Sequence, residues 1–252
     1  MKRIFYIFFF FLVASLFSEA ATRGDVKVIE ASENIRYLSQ KIVKDYLFYY
    51  LHPEQTETQN RLKKELGQLS ADLRIIATTT KDTDTKDILE FLAYSKDQIE
   101  QIFNEKADKE NAALMLDYSE TLLEGADSIA LAHKYNFSNE EKMLMVTKKI
   151  EYLLERITKY YMAMHAGFDN ATNKEQMKHA MFELEESLLE VSLYDYPEKI
   201  KAVQVNLDNS WSANRIFLDR SDKLFIPKLM FISVEYIEDS VSELALYHSK
   251  NQ

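Results

Sequence analysis

Ile35-Arg36-Tyr37-Leu38-Ser39-Gln40-Lys41-Ile42-Val43-Lys44-Asp45-Tyr46 returns as Ile150-Glu151-Tyr152-Leu153-Leu154-Glu155-Arg156-Ile157-Thr158-Lys159-Tyr160-Tyr161, 115 residues further along the chain. The same offset carries Leu62, Leu66, Leu69, Leu73 and Ile76 onto Met177, Met181, Leu184, Leu188 and Val191 without a gap. It also carries Ile88, Leu92 and Phe103 onto Val203, Leu207 and Leu218, and Leu122 and Ala130 onto Ile237 and Ala245. A repeat that keeps its apolar positions while its surface varies reads as a duplicated folding unit. The unit has the length of a small domain, well beyond that of a solenoid repeat.

Inside each copy the apolar residues recur at alternating steps of three and four. Val28, Ala31, Ile35, Leu38 and Ile42 do so in the first copy, and Met143, Val146, Ile150, Leu153 and Ile157 in the second. That spacing lines one face of a helix. Residues 62–76, 88–103 and 114–133 give three more such faces, and the second copy repeats all of them. The third helix of the second copy matches least well, with Asn214 where Ile99 stands and Trp211 and Phe217 available to fill the layer. The chain has only four glycines and three prolines in 252 residues, which suits long unbroken helices. Short polar connections join the segments, so consecutive helices are expected to run antiparallel and close a bundle. The fold expected is all-α: two tandem antiparallel four-helix bundles, over residues 21–136 and 137–252, related by the 115-residue repeat.

The copies meet at residues 134–140, where Ser138-Asn139-Glu140-Glu141 has the form of a capping box and starts the fifth helix near Asn139. A tight reversal there would place the bundles side by side, with the first and fifth helices parallel. A continuous helix would place them end to end.

Residues 1–20 read as a secretory signal peptide. Lys2 and Arg3 precede an apolar run over residues 4–17, and Ser18-Glu19-Ala20 offers a small-residue cleavage site. The run is short of the ~20 residues a membrane-spanning helix needs. The expectation is a periplasmic protein with no stable membrane insertion after cleavage. Cysteine is absent, so such a protein has to be held by its core without disulfides, and thiolate metal sites and cysteine nucleophiles are excluded. A net charge of −10 disfavours nucleic acid and anionic lipid as partners.

Chemistry is sparse. No histidine has a glutamate three residues before it, so the Glu-x-x-His pairs of di-iron bundles are missing. The methionines fall mostly on apolar stripes, where packing is their expected role. The four glycines are isolated and form no phosphate loop. His133 and His248 fall at the ends of the two fourth helices, where a cation favours the helix dipole. No serine, histidine and acid cluster stands out. Neither an enzyme nor a cofactor is expected.

Residues Arg36-Tyr37-Leu38-Ser39-Gln40-Lys41-Ile42-Val43-Lys44-Asp45-Tyr46-Leu47 resemble the first-helix signature of the PilJ/NarX-type sensor domain, the periplasmic input domain of nitrate/nitrite sensor kinases and of the type IV pilus chemoreceptor. The resemblance covers both copies. It implies a four-helix bundle with a role in signal transduction or chemotaxis. It also implies a small oxyanion such as nitrate or nitrite held by the residue matching Arg36, with Ser39, Gln40 and Lys41 as secondary contacts. A guanidinium suits a planar oxyanion because its fork of donors matches paired oxygens. The sequence departs from the family pattern at Glu33, which stands where the family has glycine, and in the second copy at Glu151 and Leu154, which replace the arginine and the serine. No kinase, cyclase or chemotaxis-signalling region is recognised, so a sensor of this kind would act through a partner such as a membrane sensor or chemoreceptor. The competing expectation is a structural interaction or adaptor protein without a small-molecule ligand, in which Arg36 is a solvated charge paired with Glu33.

Overall fold

The computed structural model describes residues 23–133, 135–221 and 223–252; the leader expected over residues 1–20 lies outside them. Among the described residues the chain is all-α, with no strand. The helices are α1 (Arg23–Leu51), α2 (Thr56–Thr79), α3 (Thr83–Phe103), α4 (Lys109–Ala132), α5 (Asn139–Ala163), α6 (Ala171–Leu193), α7 (Glu198–Leu218) and α8 (Pro227–Lys250). A π-helical turn, Met164–Phe168, follows α5. Among the described residues no helix is long and apolar enough to cross a membrane.

Local chemistry sets the helix ends. The Asp82, Asp108 and Asn170 side chains accept from backbone N–H groups in the first turns of α3, α4 and α6. At α5 the Ser138 side chain accepts from the Glu141 N–H while the Glu141 carboxylate accepts from the Ser138 N–H, closing a full capping box. Pro227 occupies the first turn of α8, where its missing N–H is not needed. Pro53 follows the end of α1. The matching end of α5 uses Gly167, whose φ of +93° lies in the left-handed region that favours glycine.

The apolar stripes converge as their spacing predicts. Ile35, Leu38 and Ile42 are buried with Leu69, Ile76, Leu92 and Leu122; Ile150, Leu153 and Ile157 are buried with Leu184, Leu207 and Ile237. α1 packs on α2 and α4, and α3 bridges α2 and α4. α5 packs on α6 and α8, while α7 lies against α8 and only lightly against α6. Gly125 lets α4 approach α3, because a Cβ there would stand 2.4 Å from Leu92 Cδ2. In the weak layer of α7, Trp211 is buried, and the buried Asn214 is accommodated because it donates to Ser210 O at 2.9 Å and accepts from Ser233 Oγ at 2.5 Å.

The longest contact between the two halves is α1 along α5. Asn34 faces Lys148 and Lys41 faces Glu155, each partner 114 residues further on. A constant difference means that the two helices advance in the same direction. α4 and α5 are separate helices, so the continuous-helix arrangement is not the one adopted.

His248 differs from its expected role. Its side chain is fully buried: Nδ1 lies 2.7 Å from a Glu140 carboxylate oxygen and Nε2 2.9 Å from the Tyr196 hydroxyl. It ties the last turn of α8 to the first turn of α5 instead of facing the α8 carbonyls. The cause is the tyrosine cluster of Tyr194, Tyr196 and Tyr247, which closes over the imidazole. His133 does end α4, and its imidazole lies 3.7 Å from Asp25.

Leu38→Ala or Leu153→Ala empties a packed layer and is expected to cost ~2–5 kcal/mol in urea unfolding. Glu57→Ala and Lys174→Ala, at polar surface positions, are expected to stay within about 0.5 kcal/mol. Equal losses at all four positions would mean that the buried faces are misassigned.

Candidate functional site

The four residues singled out by the sequence lie on one turn and a half of α1, but they do not converge on one point. Arg36 Nη1 donates to both Glu33 oxygens at 3.0 and 2.8 Å. Its Nε lies 2.6 Å from an Asp127 carboxylate oxygen on α4, and its guanidinium covers the Tyr152 ring of α5 at 4.5 Å. Ser39 Oγ turns back to accept the Gln40 amide at 2.9 Å and donates to Arg36 O at 2.7 Å. Gln40 is fully buried, its amide also reaching toward Ser119 O on α4. Lys41 points the other way, to Tyr37 OH at 2.6 Å, Glu155 on α5 at 2.9 Å and Glu238 on α8 at 3.3 Å. Arg36 and Lys41 therefore address different neighbours, and each is already engaged by carboxylates.

Lys41 belongs to a cluster that its sequence neighbourhood does not mark. Lys44, one turn on, is buried to 1% exposure, with Nζ 2.7 Å from a Glu155 oxygen whose own residue is fully buried. The ammonium also lies 4.2 Å from the centre of the Phe231 ring. Asp45, beside it, accepts from Arg61 Nε at 3.0 Å. Burial raises the Glu155 carboxyl, but Lys44 and Lys41 overcome it and hold the group down at about 2. Glu238 has the opposite balance. Burial first, and then the Glu155 charge, push it well above the usual carboxylate range. Burial and Asp45 likewise raise Glu65 on α2 to about 8. A buried charge pair, bordered by carboxyls whose titration burial pushes upward, thus lies where α1, α2, α5 and α8 meet.

The equivalent place in the other half is built differently. Lys159, fully buried, donates to Ser119 Oγ at 3.0 Å and makes a short contact with Glu120. Arg156 Nη2 reaches Glu120 at 2.9 Å and Gln176 Oε1 at 2.8 Å. Burial lowers the Lys159 ammonium to about 8, with Glu120 opposing the shift. By the 115-residue offset Lys44 matches Lys159, Lys41 matches Arg156, and Glu155 matches Gln40. The recurrence of lysine at 44 and 159, at matching places in the two similar segments, was the signal available in the sequence.

Two open surface grooves of about 330 and 430 Å³ lie on the α2 side, the first lined by residues that include Lys27, Glu30, Asn34 and Asp72, the second by Gly67, Ser70 and Arg74 among others. Neither includes Arg36, Ser39, Gln40 or Lys41. Among the described residues no group of three or more histidine or carboxylate side chains is placed to hold a metal ion. No protein-family model, curated protein or solved structure matches the chain.

The raised Glu65 carboxyl has a consequence for stability. Between the ordinary value of 4.5 and the folded value of about 8, the folded chain holds a proton that the unfolded chain has released. Stability must therefore fall as pH rises through that window. Urea unfolding at about pH 5 and about pH 8 should show Glu65→Gln losing less stability across the interval than the parent. An equal loss would remove Glu65 from the buried cluster.

Proposed function

We propose that the chain is an exported sensory or ligand-binding module built from two related four-helix units, acting through a partner protein. The observation that carries the reading is the parallel α1–α5 pair, in which the two copies of the repeated helix lie side by side with a buried charge network along their contact. The 115-residue repeat supports a duplication, and the resemblance of residues 36–47 to the PilJ/NarX-type signature supports a sensory role for the repeated helix. Buried ion pairs are a weak source of stability, since removing charges from water costs about as much as their attraction returns. Their role is to specify register, so a ligand that draws away one partner would alter the α1–α5 contact. In this reading a ligand biases the α1–α5 contact, and a periplasmic membrane sensor or chemoreceptor reads the result.

The ligand class that Arg36 suits is a small oxyanion such as nitrate or nitrite. Such an anion has to take the place of Glu33 or Asp127 on the guanidinium. That same occupancy favours the second reading, an adaptor bundle in which Arg36 only joins α1 to α4 and no small molecule binds.

Calorimetry with nitrate and nitrite separates the two. The sensory reading expects heat with the parent, none with Arg36→Ala, and tighter binding with Glu33→Gly, which frees one side of the guanidinium. The helical substitution itself costs about 1 kcal/mol or less. Heat that survives in Arg36→Ala would move any anion site elsewhere, and no heat in any of the three proteins would leave the adaptor reading. Because both copies of the paired helix belong to one chain, the protein is expected to sediment as a monomer; a dimer mass independent of concentration would contradict that.

A further inference from the structure

The outer faces of α2 and α6 differ although their inner faces correspond. Leu66, Leu69, Leu73 and Ile76 of α2 are buried, and so are Met181, Leu184, Leu188 and Val191 at the matching positions of α6. On the solvent side α2 has Gly67, Arg74 and Thr78, all exposed. The matching residues of α6 are Phe182, Leu189 and Leu193, which are 59%, 60% and 77% exposed. Steps of seven and four place the three on one line along the helix. Isolated apolar side chains on a surface need no explanation, but an aligned stripe marks a contact. The first copy is an internal comparison: α2, which packs on α1 as α6 packs on α5, folds with a glycine, an arginine and a threonine at these places. Nothing in the core of the second unit requires the change.

Charge identifies the occupant. Glu186 lies on the stripe between Phe182 and Leu189, and Glu190 borders it; both are exposed. Glu185 is exposed on the α7 side, where it accepts from Arg215 Nε at 2.8 Å. A second copy of this chain presenting the same face would set glutamate against glutamate, in a protein of net charge −10. We propose that the outer face of α6 docks a basic amphipathic helix of a partner protein, with its apolar residues on Phe182, Leu189 and Leu193 and its lysines or arginines against Glu186 and Glu190. The geometry is that of one helical stripe meeting another, with flanking charges selecting the partner. This rests on the duplication reading for its internal comparison, and it deepens the partner half of the proposed function without involving Arg36.

The test uses the full chain and a fluorescent synthetic peptide of about five helical turns, with leucine at steps of three and four and lysine elsewhere. Its twin carries glutamate in place of lysine. In fluorescence anisotropy the lysine peptide is expected to bind the parent and the glutamate peptide is not. The variant Phe182→Ala with Leu189→Arg and Leu193→Thr should bind the lysine peptide about tenfold more weakly or worse, at unchanged helix content. Glu186→Lys with Glu190→Lys, which leaves the apolar residues in place, should also weaken it and gives an independent reading if the triple variant does not fold. Arg74→Leu with Thr78→Leu, on the opposite unit, should leave the affinity as it was. Equal affinity in the parent and both α6 variants, equal binding of the two peptides, or no binding of the lysine peptide would overturn the proposal. So would a parent that dimerises in sedimentation while the triple variant stays monomeric, which would make a second copy the occupant. Anion binding is measured separately, so failure of this surface and failure of the sensory reading remain distinct.

Discussion

The ion pair between Lys44 and Glu155 is the constraint on which the relation between the two halves depends. Both side chains are withdrawn from water, and each is the other's nearest opposite charge, at 2.7 Å. Sliding α1 along α5 would draw Lys44 away from Glu155 and leave each buried charge with a poorer partner, at a cost in stability. Apolar packing supplies the attraction between the halves, but it is tolerant of position. The charges are not, and they fix the register. Lys41 and Glu238 extend the same constraint to α8, and Asp45 with Arg61 extends it to α2. Four helices from both halves are thereby held to one geometry.

The helical class and the buried helix faces were legible in the sequence, while the charged cluster was not. Helix faces follow from the three-and-four spacing alone, so residues such as Ile35, Leu69, Ile150 and Leu184 were placed correctly inside. Helix starts lay further out than the apolar stripes indicated, because Asp82 and Asp108 begin α3 and α4 well before Ile88 and Leu114. The capping box at Ser138 was readable because both of its partners lie within four residues. Lys44 was not, since its partner is 111 residues away and appears only when α1 lies on α5. Arg36 shows both cases at once. Its pairing with Glu33 follows from helical spacing, whereas Asp127 reaches it from another helix. The burial of His248 depends on tyrosines in the α6–α7 connection and the end of α8, which no local pattern announces.

The two halves share their inner faces and differ in polar detail. Glu155 in one corresponds to Gln40 in the other, so one buried lysine meets a buried carboxylate and the other, Lys159, leans on the half-exposed Glu120. Arg36 corresponds to Glu151, and the outer face of α2 corresponds to an apolar stripe on α6. Positions outside a shared core are free to vary. The differences fall at the α1–α5 contact and on the solvent face of α6, the two places where a ligand and a partner are proposed to act.

The claim that α1 and α5 are locked in parallel register by a buried ion pair is tested most directly by a double-mutant cycle. Lys44→Met, Glu155→Met and the combined variant would be compared with the parent by urea unfolding. Each single variant takes from a buried charge its nearest partner, leaving only Lys41 near Glu155 or Asp45 near Lys44, and is expected to lose ~3 kcal/mol, while the combined variant should lose far less than the sum, with a coupling energy of about 1–3 kcal/mol. Additive losses, with no coupling within about 0.5 kcal/mol, would show that the two side chains do not meet and would contradict the account.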